Sequence, residues 1–555
     1  MMNRALIHTD SWLILVAVFI LSSCAIRDDI PYPIVEAQIT SFEVEGQCNE
    51  TDDGFAEARI DKVARTIDVH VSDTVNLSRL RLLRFGVSND AKGGFVAGEV
   101  LDCSRGSLTC TLTTYQNYEW TIHVSQVILR EVQIDGQVGN AVIDPINRSM
   151  IAYVASTQKL GALAVRKFTL GGQHGKVLPD PTEASTFDFS RSRNFTVTPA
   201  NTGIAETWHV FVYTTDAKEE ATATAFGYSV SALITGTVPV GTTPVVEFRE
   251  ATGAADWIRV NPNQVKVSSR NFEAEPTGLR PNTTYEYRVT AGSSVTAVQT
   301  FTTAGNEQLE NSSFDEWSIS GTGNRALYQP WGEGQPQYWD TGNHGATTVG
   351  ASNSTYVDEG GRRYANLQSK YIVIKFAAGN IFTGQYVKTD GTNGILSFGR
   401  PFTSFPTKMR FDYKYQTSTI NRTGGDWKEN YGNYITRELY EGLKGKPDSC
   451  NVYIALGDWE PVTFEGVECP YLIRTRPSEL HLFDFNDPHL IAYASLTKGE
   501  NVSAWTTETL TLNYRVRNRR PRYVIVVASS SKYGDYFTGG DASLLQLDNI
   551  ELLYE

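Results

Sequence analysis

A chain of 555 residues is too long for one hydrophobic core, because single cores stop growing near about 250–300 residues, so several domains are expected. Its hydrophobic content of 41%, with 11% aromatics, is enough to fill such cores and excludes a disordered chain. A formal net charge of −13 argues against nucleic acid as a partner, since phosphate demands a basic surface, and fits an exterior protein with or without a neutral ligand such as a glycan.

Residues 1–23 carry Arg4 and then an apolar run from Trp12 to Leu21. As a helix that run reaches about 15 Å, roughly half a bilayer core, so it reads as the core of a signal peptide and not as a membrane span. It ends in Leu21-Ser22-Ser23-Cys24, a small-residue pair and a cysteine, which resembles the lipobox of bacterial lipoproteins. The resemblance implies a lipidated Cys24, a tether over 24–34 and an anchor in the outer membrane. Arg27-Asp28-Asp29 resembles the export signal of Bacteroidota surface lipoproteins and implies exposure at the cell surface. No later segment approaches the roughly 18 apolar residues of a span.

An internal repeat organises the next part of the chain. EARIDKVARTIDVHV (57–71) matches NAVIDPINRSMIAYV (140–154), with Ile60-Asp61 on Ile143-Asp144 and Arg65 on Arg148 at an offset of 83. Leu77, Leu80 and Phe85 then match Leu160, Leu163 and Phe168, and after a few residues of drift the strand around Trp120 matches that around Trp208. Alternating segments at short intervals describe small antiparallel sandwiches, predicted here as Ig-like modules over 35–126 and 127–216.

A third module, 217–304, has strand-like segments at SVSALITGTV, PVVEFREA and VQTFTT. Its run GLRPNTTYEYRV (278–289) resembles the E–F corner of fibronectin type III domains. That likeness implies a structural role for Tyr285 and Tyr287 and no chemistry. Helical signals are scarce; RELYEGL (437–443) offers a turn or two.

Residues 305–555 differ, holding six of the ten tryptophans. The opening NSSFDEW (311–317) and closing LDNIEL (547–552) resemble the ends of jelly-roll carbohydrate-binding modules. In that class the first and last strands pair and often hold a structural calcium, which Asp315 and Asp548 would ligate through hard oxygen donors. The same ends, together with Trp339, AAGNIFTG (377–384), GRPFT (399–403), Tyr413-Lys414-Tyr415 and ASSSKYGDYFTGG (528–540), resemble the Bacteroidota family called the putative carbohydrate metabolism domain. The likeness spans about 250 residues and implies a jelly-roll sandwich and polysaccharide handling.

Binding is favoured over catalysis. A glycosidase needs two carboxylates about 5–10 Å apart, one with a raised pKa. Asp340, Asp412, Asp458 and Glu460 are available but unpaired by sequence, and no HExxH, GxSxG or P-loop occurs. The glycine-rich loops at 379–384 and 534–540 read as tight turns. A binder needs only aromatic planes for the C–H faces of sugar rings and polar groups for the hydroxyls. Trp331, Trp427, Tyr431 and Trp459 lie in Gly-, Asn- and Pro-rich stretches and are the candidate platforms. Trp317, Trp339 and Trp505 are expected in the core.

Five cysteines follow Cys24. An oxidising exterior permits Cys103–Cys110 and Cys450–Cys469 bridges and leaves Cys48 over, and no spacing resembles a zinc site. The reading is therefore an all-β surface lipoprotein whose three small sandwiches form a stalk of about 100 Å. The stalk lifts a jelly-roll that binds an oligosaccharide or polysaccharide within a polysaccharide-utilisation system. A glycoside hydrolase and an adhesive protein that binds other proteins are the rivals.

Overall fold

The computed structural model describes residues 36–423 and 437–555, apart from 89–90, 115–116, 218–219, 252–254, 269 and 293. Those residues form an all-β chain with four successive groups of sheets. Among them no helix is long and apolar enough to cross a membrane. The signal-like run and Cys24 lie outside the described residues.

The repeat read from sequence is a repeat of structure. Thr66–Ser72 pairs in parallel with Asn117–Val127, which pairs antiparallel with Ser107–Thr113. Likewise Ser149–Ala155 pairs in parallel with Glu206–Thr215, and that strand pairs antiparallel with Arg193–Thr198. Both Trp120 and Trp208 are buried on the shared central strands. The matched acids build matched turns. Asp61 Oδ1 accepts the N–H groups of Val63 and Ala64 (3.0 and 2.8 Å), and Asp144 Oδ1 accepts those of Ile146 and Asn147 (3.0 and 2.9 Å). Each such turn closes through an arginine in the left-handed region, Arg65 at φ 56° and Arg148 at φ 51°.

The third group carries the expected tyrosine corner: the Arg280 N–H donates to the Tyr285 hydroxyl at 2.9 Å, and both Tyr285 and Tyr287 are buried.

The last group is a two-sheet antiparallel sandwich. One sheet runs Ser354–Glu359, Arg362–Gln368, Leu544–Leu553, Lys408–Gln416, Val502–Thr511. The facing sheet is larger and centres on Asn380–Asp390, Tyr523–Ser529, Cys450–Gly457 and Leu490–Lys498. Alternate residues Met409, Phe411, Tyr413 and Tyr415 meet Val452, Ile454, Val524 and Val526 between the sheets. The outer face of the large sheet is buried too, by Tyr453, Tyr493, Ile525 and Val527 beneath Phe483 and Phe485. Burial on both faces is why these strands read as unbroken apolar runs and not as alternation. The opening segment lies along the last strand, with Ile550 N–H donating to Ser312 O at 2.9 Å. Arg437–Leu443 is helical as expected; Asn343–Val349 is a second short helix that no local signal announced.

Three expectations are corrected. The five described cysteines are all free and buried, so neither permitted bridge is present. Trp505 sits half-buried on the outside of the smaller sheet, with Arg362 stacked on its indole at 3.9 Å. Nor do the small sandwiches form a rising stalk, because the first packs back on the last domain. Tyr493 OH donates to Asp61 Oδ1 (2.7 Å), Arg515 Nη2 to Asp61 Oδ2 (3.0 Å) and Arg59 Nη2 to Asn513 (3.1 Å). Val63 packs on the outer face of the large sheet, and Lys532 pairs with Glu36 at 3.2 Å. The third module docks as well, through Phe226 and Tyr228 against Phe405.

Candidate functional site

The opening motif of the last domain builds a groove. Asn311 (φ 44°) and Phe314 (φ 52°) both adopt the left-handed region, a costly conformation for a bulky aromatic. Burial of Phe314, edge-on to Trp339 at 5.2 Å, holds the turn and leaves Asp315 and Glu316 outside. The Asn311 amide ties this turn to the next loop, since Nδ2 donates to Glu316 O (2.9 Å) and Pro330 O (3.1 Å) while Oδ1 accepts Glu316 N–H (3.1 Å). Trp331 follows Pro330 directly and is thereby fixed beside the acids. The groove measures about 250 Å³ and is lined by Trp331, Tyr338, Glu310, Asn311, Asp315 and Gln335 among others. Burial, then Glu310, pushes the Tyr338 hydroxyl well above its ordinary value, so it stays a neutral donor.

Of the residues predicted to contact a ligand, only Trp331 is in this groove. Trp459 is 3% exposed: its indole lies across Gly457, where a Cβ would come within 2.5 Å, and packs against Tyr471 and Phe483. That segment folds back over the large sheet and seals the ring in, so Trp459 is a core residue and not a platform. Trp427 and Tyr431 lie outside the described residues.

The expected calcium pair does not fit. Asp548 Oδ2 accepts Arg362 Nε and Oδ1 accepts Asn549 N–H, so a guanidinium already supplies the positive charge. The Asp315 carboxylate takes the Ser313 hydroxyl at 2.7 Å and faces the groove. Three acids considered for catalysis are also spent: Asp412 on Arg362, Asp458 on His489 and Arg519, and Glu460 on Arg522.

A second depression was missed. It encloses about 150 Å³ between the loops that read as simple turns, lined by Gly342, Asn380, Tyr386, Gly534, Asp535 and Phe537 with apolar walls at Ile372, Ile374 and Phe376. Tyr386 stacks on His344 at 5.2 Å, and beneath them lies the buried Asp340. Burial pushes that carboxyl up against His344 and the N–H donors of Tyr386 and Thr341. Asp535 lines this pocket with an exposed side chain. No hydrogen bond to its carboxylate occurs among the described residues. The available signal was that two motif loops far apart in sequence, 377–384 and 528–540, both carried the family resemblance.

Residues 313–553 match the family described as "Putative carbohydrate metabolism domain". No curated protein matches the chain. Among solved structures, a "putative glycoside hydrolase" from Bacteroides thetaiotaomicron is 18% identical and covers 77% of this chain and 96% of its own, with a TM-score of 0.29. A second so named, from Bacteroides vulgatus, is 18% identical over 44% of this chain and 97% of its own, at 0.32. The surface glycan-binding protein PbSGBP-B from Prevotella bryantii is 10% identical over 77% and 99%, at 0.14. These superpositions are too loose to carry an argument about function.

Proposed function

We propose that this chain is a cell-surface lipoprotein, anchored in the outer membrane through Cys24, that binds an oligosaccharide or polysaccharide through its C-terminal domain within a polysaccharide-utilisation system. The carbohydrate-related family match over 313–553 supports the ligand class. The observation that carries the reading is Trp331, a half-buried indole set in a roomy groove whose other walls are mostly carboxylates, amides and a tyrosine. An indole face takes the C–H side of a sugar ring, and the rim takes its hydroxyls.

A glycan array probed with the full chain tests it. Binding to at least one polysaccharide is expected, abolished by Trp331→Ala and kept by a conservative Trp459→Phe change in the core. A blank array, or binding indifferent to Trp331, overturns the assignment. The hydrolase reading rests on a separate observation, the exposed Asp535 carboxylate lining the second pocket, which accepts no hydrogen bond among the described residues. Release of reducing ends that disappears in Asp535→Asn would select it.

A further inference from the structure

The cysteine left over by the sequence reading meets ligand-type residues at the junction of the first two modules. His174 Nδ1 lies 2.7 Å from Asp73 Oδ1 and 3.4 Å from Asp52 Oδ2, and the ligand atoms of all three lie within 4.8 Å of one another. The Cys48 thiol lies beside Asp52, just outside that group of three. Asp52 and Asp73 come from the first module, with side chains only 6% and 2% exposed, and His174 comes from the second. Among the described residues neither carboxylate forms an ion pair with a lysine or arginine; besides the imidazole, Asp52 Oδ2 accepts only the Ser72 hydroxyl at 2.9 Å. Two nearly sealed carboxylates thus face a single imidazole, which can supply at most one positive charge.

The loop around His174 is shaped to the acids. Gly172 takes φ +98°, and a Cβ there would fall 2.3 Å from Asp73 Oδ2, so only glycine lets the chain close over that oxygen. His174 N–H then donates to the same oxygen at 3.0 Å.

We propose that Asp52, Asp73 and His174, with Cys48 as fourth donor, form a site for a borderline divalent metal of the zinc class that clamps the first two modules together. A nitrogen and a sulfur donor beside two carboxylates suit tetrahedral zinc and disfavour calcium, which takes six to eight oxygens. On binding, His174 coordinates through Nδ1 and carries its proton on Nε2, Cys48 releases its proton to solvent, and the ion takes the place of the present His174–Asp73 hydrogen bond.

The test is titration of chelator-treated full chain with Zn(II), followed by calorimetry and bound-metal analysis, and with Co(II), followed by absorption. One ion per chain is expected. His174→Ala and Asp73→Asn should each weaken binding at least as much as the roughly tenfold that even an outer-shell change costs. Cys48→Ser should remove the thiolate-to-cobalt charge-transfer band while leaving weaker binding. Circular dichroism of the variants separates loss of the site from loss of fold. Failure to bind Zn(II) at pH 7.5, or a stoichiometry and affinity unchanged in His174→Ala, overturns the proposal.

Discussion

The repeat supplies its own control for the docking of the first module. Asp61 and Asp144 occupy equivalent turns, and each Oδ1 accepts two backbone N–H groups. Asp61 alone also binds Tyr493 and Arg515, and its side chain is 7% exposed against 19% for Arg515. Removing one partner of a buried ion pair costs about 3–5 kcal/mol, because the other charge is left without compensation. The turn component, common to both sites, is worth about 0.5–1.5 kcal/mol per hydrogen bond. Asp61→Ala is therefore expected to destabilise by about 2–4 kcal/mol more than Asp144→Ala, towards the lower end because Arg515 keeps the Phe485 carbonyl and the Tyr493 ring. Burial raises the Asp61 carboxyl, but the Ala64 N–H, Tyr493 and Arg515 outweigh it and leave the group below its ordinary value. This contribution is then present above about pH 4 and is lost as pH falls through the lower folded value. Scanning calorimetry of the two variants at pH 7, and again under acid conditions, checks both points. Equal shifts for Asp61→Ala and Asp144→Ala, or a difference unaffected by acid, would refute the latch.

Arg362→Ala should cost about 3–5 kcal/mol by stranding the buried Asp548, and adding Ca(II) to the chelator-treated wild-type chain should leave its unfolding temperature unchanged; a large rise on adding Ca(II) would restore calcium to that site. Trp459→Ala should destabilise by about 3–5 kcal/mol in thermal unfolding, as expected for a large aromatic removed from a packed cluster, and a cost near zero would return Trp459 to the surface. Burial pushes Asp448 up to about 6 against hydrogen bonds from Ser531, the Gly540 and Ser449 N–H groups and Ser543. A folded value above the unfolded one of about 3.9 means the folded chain holds the proton more tightly. Its contribution is full below about pH 4 and is lost as pH rises through about 6, so Asp448→Asn should flatten the pH dependence of unfolding across that interval; parallel wild-type and variant profiles would count against it.

Local signals were enough for the architecture. Period-two alternation, the repeated Ile-Asp…Arg positions and the tyrosine corner each depend on neighbours a few residues away, so the all-β modules and their repeat were legible, while the parallel pairing of the central strands in both repeats was not. The fate of individual side chains depends instead on which distant segment covers them. Asp61 and Asp144 sit in matched motifs, yet one meets Arg515 while Ile146 beside the other is 88% exposed. Trp331 and Trp459 lie in similar loops, but only the second folds over Gly457. Asp548 found an arginine 186 residues away where oxygen ligands and calcium were expected. The junction of Cys48, Asp52, Asp73 and His174 has no spacing to read, because its members converge only after two modules pack end to end.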